Sequence, residues 1–581
     1  MTSTPTSPTN SFGLLEELYR GRLRWDLLRP FPEEDSQDLL AGDAAVREVR
    51  ALLRDRVDAE EIARSGSIPA EVISLLRRQG YFNLLIKEGG GLDLTPMNAL
   101  RVIEAIAACS PALALLVGNS NGFGAGCYLP LLQPGELRDL VERHVEAGSI
   151  GGTADTEVIG AANEDRMTRA ELVENGAAYL INGEKLYIGT GMAAHLLDVS
   201  ATVTANGSKQ IRVFFVETDT PGVTVSPQDF MGLSGAPLAV VRFDNVRVPA
   251  TQLLPADVDA WRDDAALVRL AVIGRMLTVA PPSMAITKLC LAWSREFVAR
   301  RVIDGRGLGE YEEIKRHLAR TAADAYAIES IVLWGLLSGN LAERNPELTV
   351  AKNVISLACW NAIDRTVSLF AAEGYETAAS KGRRGGAAIP LERFYRDARS
   401  VRISGGVDFL LDIWTAVGAV QGAYGSATQQ GDPTSSADAG RIDEPAVTDA
   451  ALSPRCQQHL AFLQDQAGEL AAECRRLVAD GLGGGLTDAA VRSEHRLALI
   501  GRIGSLLLAM AVVLARTAQL AERGDQLAGE LADIACADYR AQLAGAWAEL
   551  HADPAPDFGA VSDHVLGDGS FAAVFGEIVR G

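Results

Sequence analysis

The chain has 581 residues, too many for one compact domain and suited to roughly three to five. Hydrophobic residues make up 48% and charged residues 22%, a balance that allows a large core and excludes global disorder. The formal net charge of −21 repels phosphate backbones and anionic lipid, so neither a nucleic-acid partner nor a membrane surface is expected.

In chain order, residues 12–148 read as an N-terminal helical domain. Segments such as AAVREVRALLRDRV and AEVISLLRRQGYF carry apolar residues at three- and four-residue spacing, and the glycines at 89–91 break the run. The first thirteen residues have neither a basic nor an apolar targeting pattern, so no signal peptide is expected. From 149 to 258 the period changes to that of strands. Three Asn-Gly pairs, at 175–176, 182–183 and 206–207, predict tight hairpin turns between β-branched runs, giving a central β domain. Helical periodicity returns over 259–425, where Pro281-Pro282 predicts a kink or interruption. A polar linker over 426–453 precedes an appended helical domain, 454–581. Its most apolar stretch, Leu497–Ala515, is interrupted by Arg502, which leaves too little length to span a bilayer.

The chain has few metal-site or hydrolase signals. Seven cysteines (109, 127, 290, 359, 456, 474 and 536) are odd in number and scattered, which fits buried thiols in a reducing cytoplasm. Seven dispersed histidines show no metal-ligand spacing, and no metal is expected. Neither G-x-S-x-G nor a Walker A pattern occurs, and the GLGGGL run near Gly483 reads as a loop.

Four segments in order carry a family resemblance. YLINGEKLYI (179–188) resembles the strand segment Y-x-x-N-G-x-K-x-W-I of the acyl-CoA dehydrogenases. VVRFDNVRVPATQLL (240–254) resembles the end of their β domain. RRVIDGRG (300–307) resembles the segment with their FAD-pyrophosphate arginine. ERFYRDAR (392–399) resembles their E-[KR]-x-x-R-D-[AL]-[KR]. The resemblance implies a mainly α fold with an inserted β domain: an N-terminal helical domain, a central β domain and a C-terminal helical bundle. The appended helices are similar to those of the very-long-chain members. It implies FAD as cofactor, a small acyl substrate and a homodimer. By position it implies cofactor contacts at Thr156, in a loop that resembles T-E-P-G-A-G-S-D, at Tyr187, Ile188, Gly189 and Thr190, at Gly374 and at Val407. Arg301 would reach the pyrophosphate of the neighbouring subunit's FAD. The basic stretch SKGRRGGAA (380–388) reads as a solvated loop, with a phosphate contact as the alternative.

The chemistry then departs from the family pattern. Members remove an α-proton with a glutamate, a contribution of roughly 10²–10⁴ in rate, while the β-hydrogen leaves as hydride to the flavin. Gly405 occupies the glutamate position, and Val268-Arg269 the alternative position of some relatives; neither holds a carboxylate. Gly189 stands where the family places a Thr or Ser against flavin N5, and Thr190 would point from the opposite strand face. Less packing beside N5 would let oxygen approach. The N–H of Gly405, followed by Gly406, could still bind a substrate carbonyl oxygen.

Three readings follow. Asp408 could act as a relocated base, giving an ordinary dehydrogenase. Decarboxylation of a β-keto acid could generate the enolate without a base, with Arg269 holding the substrate carboxylate and molecular oxygen as a later reactant; this resembles the decarboxylase-dehydrogenase-monooxygenases that form epoxyketones in natural-product biosynthesis. Or the fold could survive as a catalytically silent binding or assembly subunit.

Overall fold

The computed structural model describes residues 13–87, 90–161, 163, 165–205, 207–255, 265–337, 344–429, 446–481, 493–552 and 556–567. Seven helices come first: α1 (Leu14–Tyr19), α2 (Ser36–Arg56), α3 (Ala59–Ser65), α4 (Ala70–Arg78), α5 (Pro96–Cys109), α6 (Pro111–Phe123) and α7 (Glu136–Glu146). Local chemistry starts the two central ones. Thr95 accepts from the Asn98 N–H and Ser110 from the Leu113 N–H, and each cap is followed by a proline whose missing donor costs nothing in a first turn.

Seven strands follow: β1 (Gly151–Ala154), β2 (Arg169–Val173), β3 (Ala178–Ile188), β4 (Leu196–Ala205), β5 (Ser208–Glu217), β6 (Val223–Pro227) and β7 (Ala239–Pro249). The sheet order is β1-β4-β2-β3-β7-β6, with β5 paired to β4. Two of the expected hairpin turns are present. Asn175 and Gly176 both take positive φ between β2 and β3. Gly207 does so between β4 and β5, where residue 206 itself lies outside the described residues. The third expectation is corrected. Asn182-Gly183 lies inside β3, at a register shift against β7, and Asn182 exchanges hydrogen bonds with Asn245 across the pair. The dipeptide makes a bulge there, because the ladder continues on both sides of it.

The bundle comprises α8 (Ala265–Arg300), α9 (Glu312–Leu337), α10 (Asn345–Phe370), the short α11 (Ala372–Tyr375) and α12 (Ala378–Arg383), α13 (Leu391–Val401) and α14 (Asp408–Gln429). Of the expected kink or interruption, the interruption does not occur: α8 runs through Pro281 and Pro282. Pro281 removes the donor for the Leu277 carbonyl, and α6 closes on that oxygen: a Cβ at Gly118 would lie 2.7 Å from it. One turn along, Gly122 would meet Gly274 Cα at 2.8 Å. The two helices therefore cross backbone to backbone, which fixes the rotation of α8 at Arg275.

The appended helices are α15 (Pro454–Gly481), α16 (Glu494–Glu522), α17 (Leu527–Leu550) and α18 (Phe558–Leu566). By length and composition α16 could cross a membrane despite Arg502, but 89% of its apolar window is buried against α14, α15 and α17. Its apolar residues share one core with the bundle and the N-terminal helices. Tyr19 donates to the Ile500 carbonyl, and Tyr424 donates to the Tyr19 carbonyl. All seven cysteines are free thiols. Among the described residues no cluster could hold a metal ion.

One junction ties the sheet to the bundle. Asp397 of α13 accepts from the Leu233 N–H at 2.6 Å, and Arg396 donates to the Met231 carbonyl at 3.0 Å. The motif that marked the family is thus a docking device. Burial pushes the Asp397 carboxyl up to about 6, against the pull of the Leu233 N–H and of Arg393 and Arg396. The folded state holds this proton more tightly than the unfolded chain, so the contribution to stability is full below about pH 4 and is lost as pH rises through about 6. Denaturant unfolding of the wild type and Asp397→Asn should show the wild type losing up to about 3 kcal/mol relative to the variant between pH 4 and 6.5. A flat difference would mean that the arginines hold the carboxylate ionised.

Candidate active site

Three residues on one face of α10 organise the site. Lys352 Nζ donates to the carbonyls of Arg402 (3.0 Å) and Gly406 (2.5 Å). Asn353 Nδ2 donates to the Asp408 carbonyl (2.8 Å) and to Asp412 Oδ1 (2.9 Å). Thr349, a turn before, accepts from Arg275 Nη1 at 3.0 Å. Burial pushes the Lys352 ammonium down to about 8, with Asp408 opposing and the Arg275 and Arg402 charges adding to the shift. The loop between α13 and α14 is therefore suspended from a buried cation by its own carbonyls. Its crest is Gly405 and Gly406, at φ +72° and +114°. A Cβ at Gly406 would press on Leu411, whereas one at Gly405 would make only an ordinary 3.5 Å contact with Arg275 Cγ. The Gly405 N–H makes no hydrogen bond among the described residues.

Among the described residues the one facing Gly405 is thus Arg275, which was not singled out from the sequence. Val268 and Arg269 lie in the first turns of α8, about 9 Å earlier along its axis, and their side chains fall outside the described residues. The glycine crossing sets Arg275 beside Gly405 and turns Gly274 toward α6. A side chain at 274 would collide with the ring of Phe123 and the Gly122 carbonyl, so no carboxylate fits there. Spacing from the end of α8 alone does not reveal this; the Gly118-x-x-x-Gly122 pattern on α6 was the available signal.

Asp408 is not a free base. Burial raises its carboxyl, but hydrogen bonds and charge from Arg402 outweigh that and leave it lowered. Arg402 holds Oδ2 through both Nε (3.1 Å) and Nη2. Asp412, pushed up to about 6 by burial, sits a turn deeper, where its backbone carbonyl packs against Gly501 of α16.

The opposite wall comes from the sheet. Glu157 is buried and accepts from the N–H groups of Met167 (2.5 Å) and Thr168 (2.8 Å) and from Lys185 Nζ (2.8 Å). Lys185 also donates to the Asp155 carbonyl and Ser200 Oγ. This dry, fully bonded pair explains why the strand motif needs its lysine: it pins the loop carrying Thr156, whose carbonyl accepts from the Leu186 N–H at 2.8 Å. Tyr187 follows at φ +63°, on a register shift, with its ring exposed and tilted against Phe230 at 5.8 Å. Ile188 is buried beneath. Thr190 is buried and donates to the Gly151 carbonyl at 3.0 Å, so its hydroxyl is unavailable to a cofactor and only its backbone remains.

Gly189 was expected to leave a gap. The structure fills it: a Cβ there would overlap Asn119 Nδ2 of α6. The Asn119 amide makes no hydrogen bond among the described residues. No pattern in the sequence marks this residue, because it comes from a helix some 70 positions away and meets the strand only in the fold.

At the far end of α8, Arg301 and Gly374 come together around Glu373. Arg301 lies 3.8 Å from Glu373, and Arg300 pairs with the same carboxylate. Asp304, unlike the family's aromatic, begins a two-residue turn with Gly305, both at positive φ, between β8 (Val302–Ile303) and β9 (Arg306–Gly307). The basic stretch expected as a loop is partly helical. Lys381 is buried and donates to the Glu373 carbonyl at 3.2 Å, while Arg384 pairs with Glu376. Val407, half-buried, immediately precedes α14.

Sequence profiles of the acyl-CoA dehydrogenase N-terminal, middle and C-terminal domains match residues 43–136, 152–246 and 270–410. The chain belongs to the acyl-CoA dehydrogenase family. It is 31% identical over 428 residues to the probable acyl-CoA dehydrogenase FadE10 of Mycobacterium tuberculosis, covering 72% of this chain and 65% of that one. It thus matches just under two thirds of the length of that relative. An acyl-CoA dehydrogenase from Bacillus anthracis complexed with FAD has the same fold across the appended helices too, with a TM-score of 0.75 at 18% identity over 92% of this chain and 91% of that one. The prolyl acyl carrier protein oxidase AnaB aligns at a TM-score of 0.55 and 21% identity over 66% of this chain and 99% of that one.

Acyl-CoA dehydrogenases are flavin-dependent oxidoreductases, and FAD is the cofactor. The residues present fit it: Val158, Ile159, Tyr187, Phe230 and Met231 leave apolar side chains exposed along the sheet wall, a surface that a flat ring system would cover.

Two outcomes check this geometry. Lys352→Met leaves two buried carbonyls without a donor and should cost about 1–3 kcal/mol, with faster hydrogen exchange at residues 402–408; unchanged exchange would mean the lysine does not hold the loop. Gly189→Ser should destabilise the wild type but not Asn119→Ala, with a coupling of about 1 kcal/mol or more in a thermal double-mutant cycle. Additive effects would mean Asn119 does not occupy that space.

Proposed function

We propose that this protein oxidises the Cα–Cβ bond of an acyl substrate with FAD, and that it generates the enolate without a carboxylate base at either family position. The supporting observation is Gly405 set against Arg275, with Asp408 bound to Arg402. FAD supplies a hydride acceptor. The chain supplies a free Gly405 N–H that can donate to a substrate oxygen as negative charge builds there, an arginine beside it, and a sheet wall that seats the ring system.

The reading we favour is decarboxylation of a β-keto acid. The bond from Cα to the carboxylate breaks, carbon dioxide leaves neutral, and its electron pair becomes that of the enolate. FAD, seated on the sheet wall of Tyr187, Phe230 and Met231, would accept a β-hydride from that enolate, leaving an enone; the stored hydride (two electrons and a proton), one further proton and molecular oxygen would account for the epoxide and one water. The open space at Gly405 suits a quaternary α-carbon that has no proton to lose. An epoxyketone-forming role in natural-product biosynthesis follows. Dehydrogenation with Asp408 as relocated base is the weaker reading because that carboxylate is lowered and doubly bonded. A silent assembly subunit is disfavoured by the intact flavin wall. A homodimer is part of the proposal: Arg301, Val302, Ile303 and Tyr375 lie exposed together at one end of the bundle, as residues serving a neighbouring subunit's FAD would. The free thiols fit the cytoplasm.

The yellow protein, titrated anaerobically with a panel of saturated acyl-CoAs, should keep its oxidised flavin band, and a 2,2-dimethyl-3-oxo acid should release carbon dioxide and bleach it. Gly405→Glu has room for the side chain at a backbone cost of about 1–2 kcal/mol and should gain bleaching by saturated acyl-CoAs. Bleaching of the wild type by those thioesters would show that it has a base.

A further inference from the structure

Among the described residues Arg275 is a largely buried guanidinium without a carboxylate partner: its one hydrogen bond there runs from Nη1 to the Thr349 hydroxyl, and no acid pairs with it. Burial lowers its affinity for its proton, and no acidic neighbour offsets that. Buried arginines are ordinarily paired, since the guanidinium keeps its charge and carries its donors in a fixed fork. The nearest charges make the imbalance worse. Lys352 is a second buried cation; Arg402, partly exposed, takes up Asp408, and Asp412 is held by Asn353. The side of Arg275 where a carboxylate would sit is the side that Gly405 leaves open, 3.5 Å from Arg275 Cγ to the missing Cβ.

We propose that the counter-ion of Arg275 is the substrate's own carboxylate, so that the site selects an acyl substrate that enters as a free carboxylate anion over its neutral ester. This rests on the decarboxylative reading for what happens next, but the recognition step stands apart from it. The fork has donors left to take a carboxylate bidentately, and the pairing supplies the missing negative charge to a low-dielectric site. When carbon dioxide leaves, the charge passes to the ketone oxygen within the same cationic surroundings, so the site is never left with the cation alone until the enone forms.

A probe that cannot lose carbon dioxide separates recognition from chemistry. The FAD-loaded protein would be titrated calorimetrically with 2,2-dimethyl-3-hydroxydecanoate and with its methyl ester. The acid should bind at least tenfold more tightly than the ester. Arg275→Gln should bring the acid down to the affinity of the ester and leave the ester unchanged, while Arg275→Lys keeps part of the preference; flavin occupancy and melting temperature show that each variant is folded. Equal affinity of acid and ester in the wild type, including no measurable binding of either, overturns the proposal, as does a preference that survives in Arg275→Gln. Carbon dioxide release from the corresponding 3-oxo acid is read separately. Acid preference through Arg275 without release retains the carboxylate site and removes the decarboxylative reading, whereas release that is indifferent to Arg275 does the reverse.

Discussion

A buried lysine holding two backbone carbonyls is the contact on which the rest of the site depends. Lys352 has no direct carboxylate bond; its ammonium is shared between Arg402 and Gly406, which sets the path of the loop between α13 and α14. That path places Gly405 over Arg275 and leaves its N–H without an acceptor among the described residues. Asn353 repeats the device one residue on, by holding the start of α14. A cation used this way adds to the local positive charge: its neighbours are Arg275 and Arg402, with Asp408 and Asp412 in reply. A glutamate at 405 would add one negative charge to this set. With glycine there, the proposal is that the substrate brings that charge.

The opposing wall is built on the inverse principle. Lys185 and Glu157 form a pair in which nearly every donor and acceptor is used, so the loop that carries Thr156 is rigid and the charge is internally cancelled. A buried pair is weak evidence for net stability, because desolvation offsets much of the attraction. One wall is thus electrically closed and apolar, suited to a flat ring system, while the other is open and cationic, suited to an anion. The glycine crossing of α6 and α8 joins the two: it brings Asn119 in front of Gly189 and Arg275 in front of Gly405 from adjacent helices.

Much of this could be read in the sequence, and the reason is local periodicity. The change from helical to alternating spacing near 149 and the Asn-Gly turns at 175 and 206 depend on neighbours in the chain. Asn182-Gly183 misled because a dipeptide that tolerates positive φ serves a bulge as well as a turn, and only pairing with β7 decides which. At Pro281 and Pro282 the helix runs on where an interruption was expected, and α6, more than 150 residues away, packs on the freed Leu277 carbonyl. That residue 405 carries no carboxylate is plain in the sequence; its place beside Arg275 is a matter of the fold. Arg275 was not legible, since which arginine of α8 faces the loop depends on the rotation that Gly122 and Gly274 fix. Asn119 was invisible for the same reason.

The central claim is that no group in this site removes an α-proton. The most direct measurement is proton exchange at Cα. A saturated acyl thioester would be incubated with the FAD-loaded protein in deuterium oxide, and its α-protons followed by NMR. A base-free site predicts exchange no faster than in buffer. Enzyme-dependent washout of the α-protons would contradict it, because it would reveal a base that neither Gly405 nor Gly274 can supply.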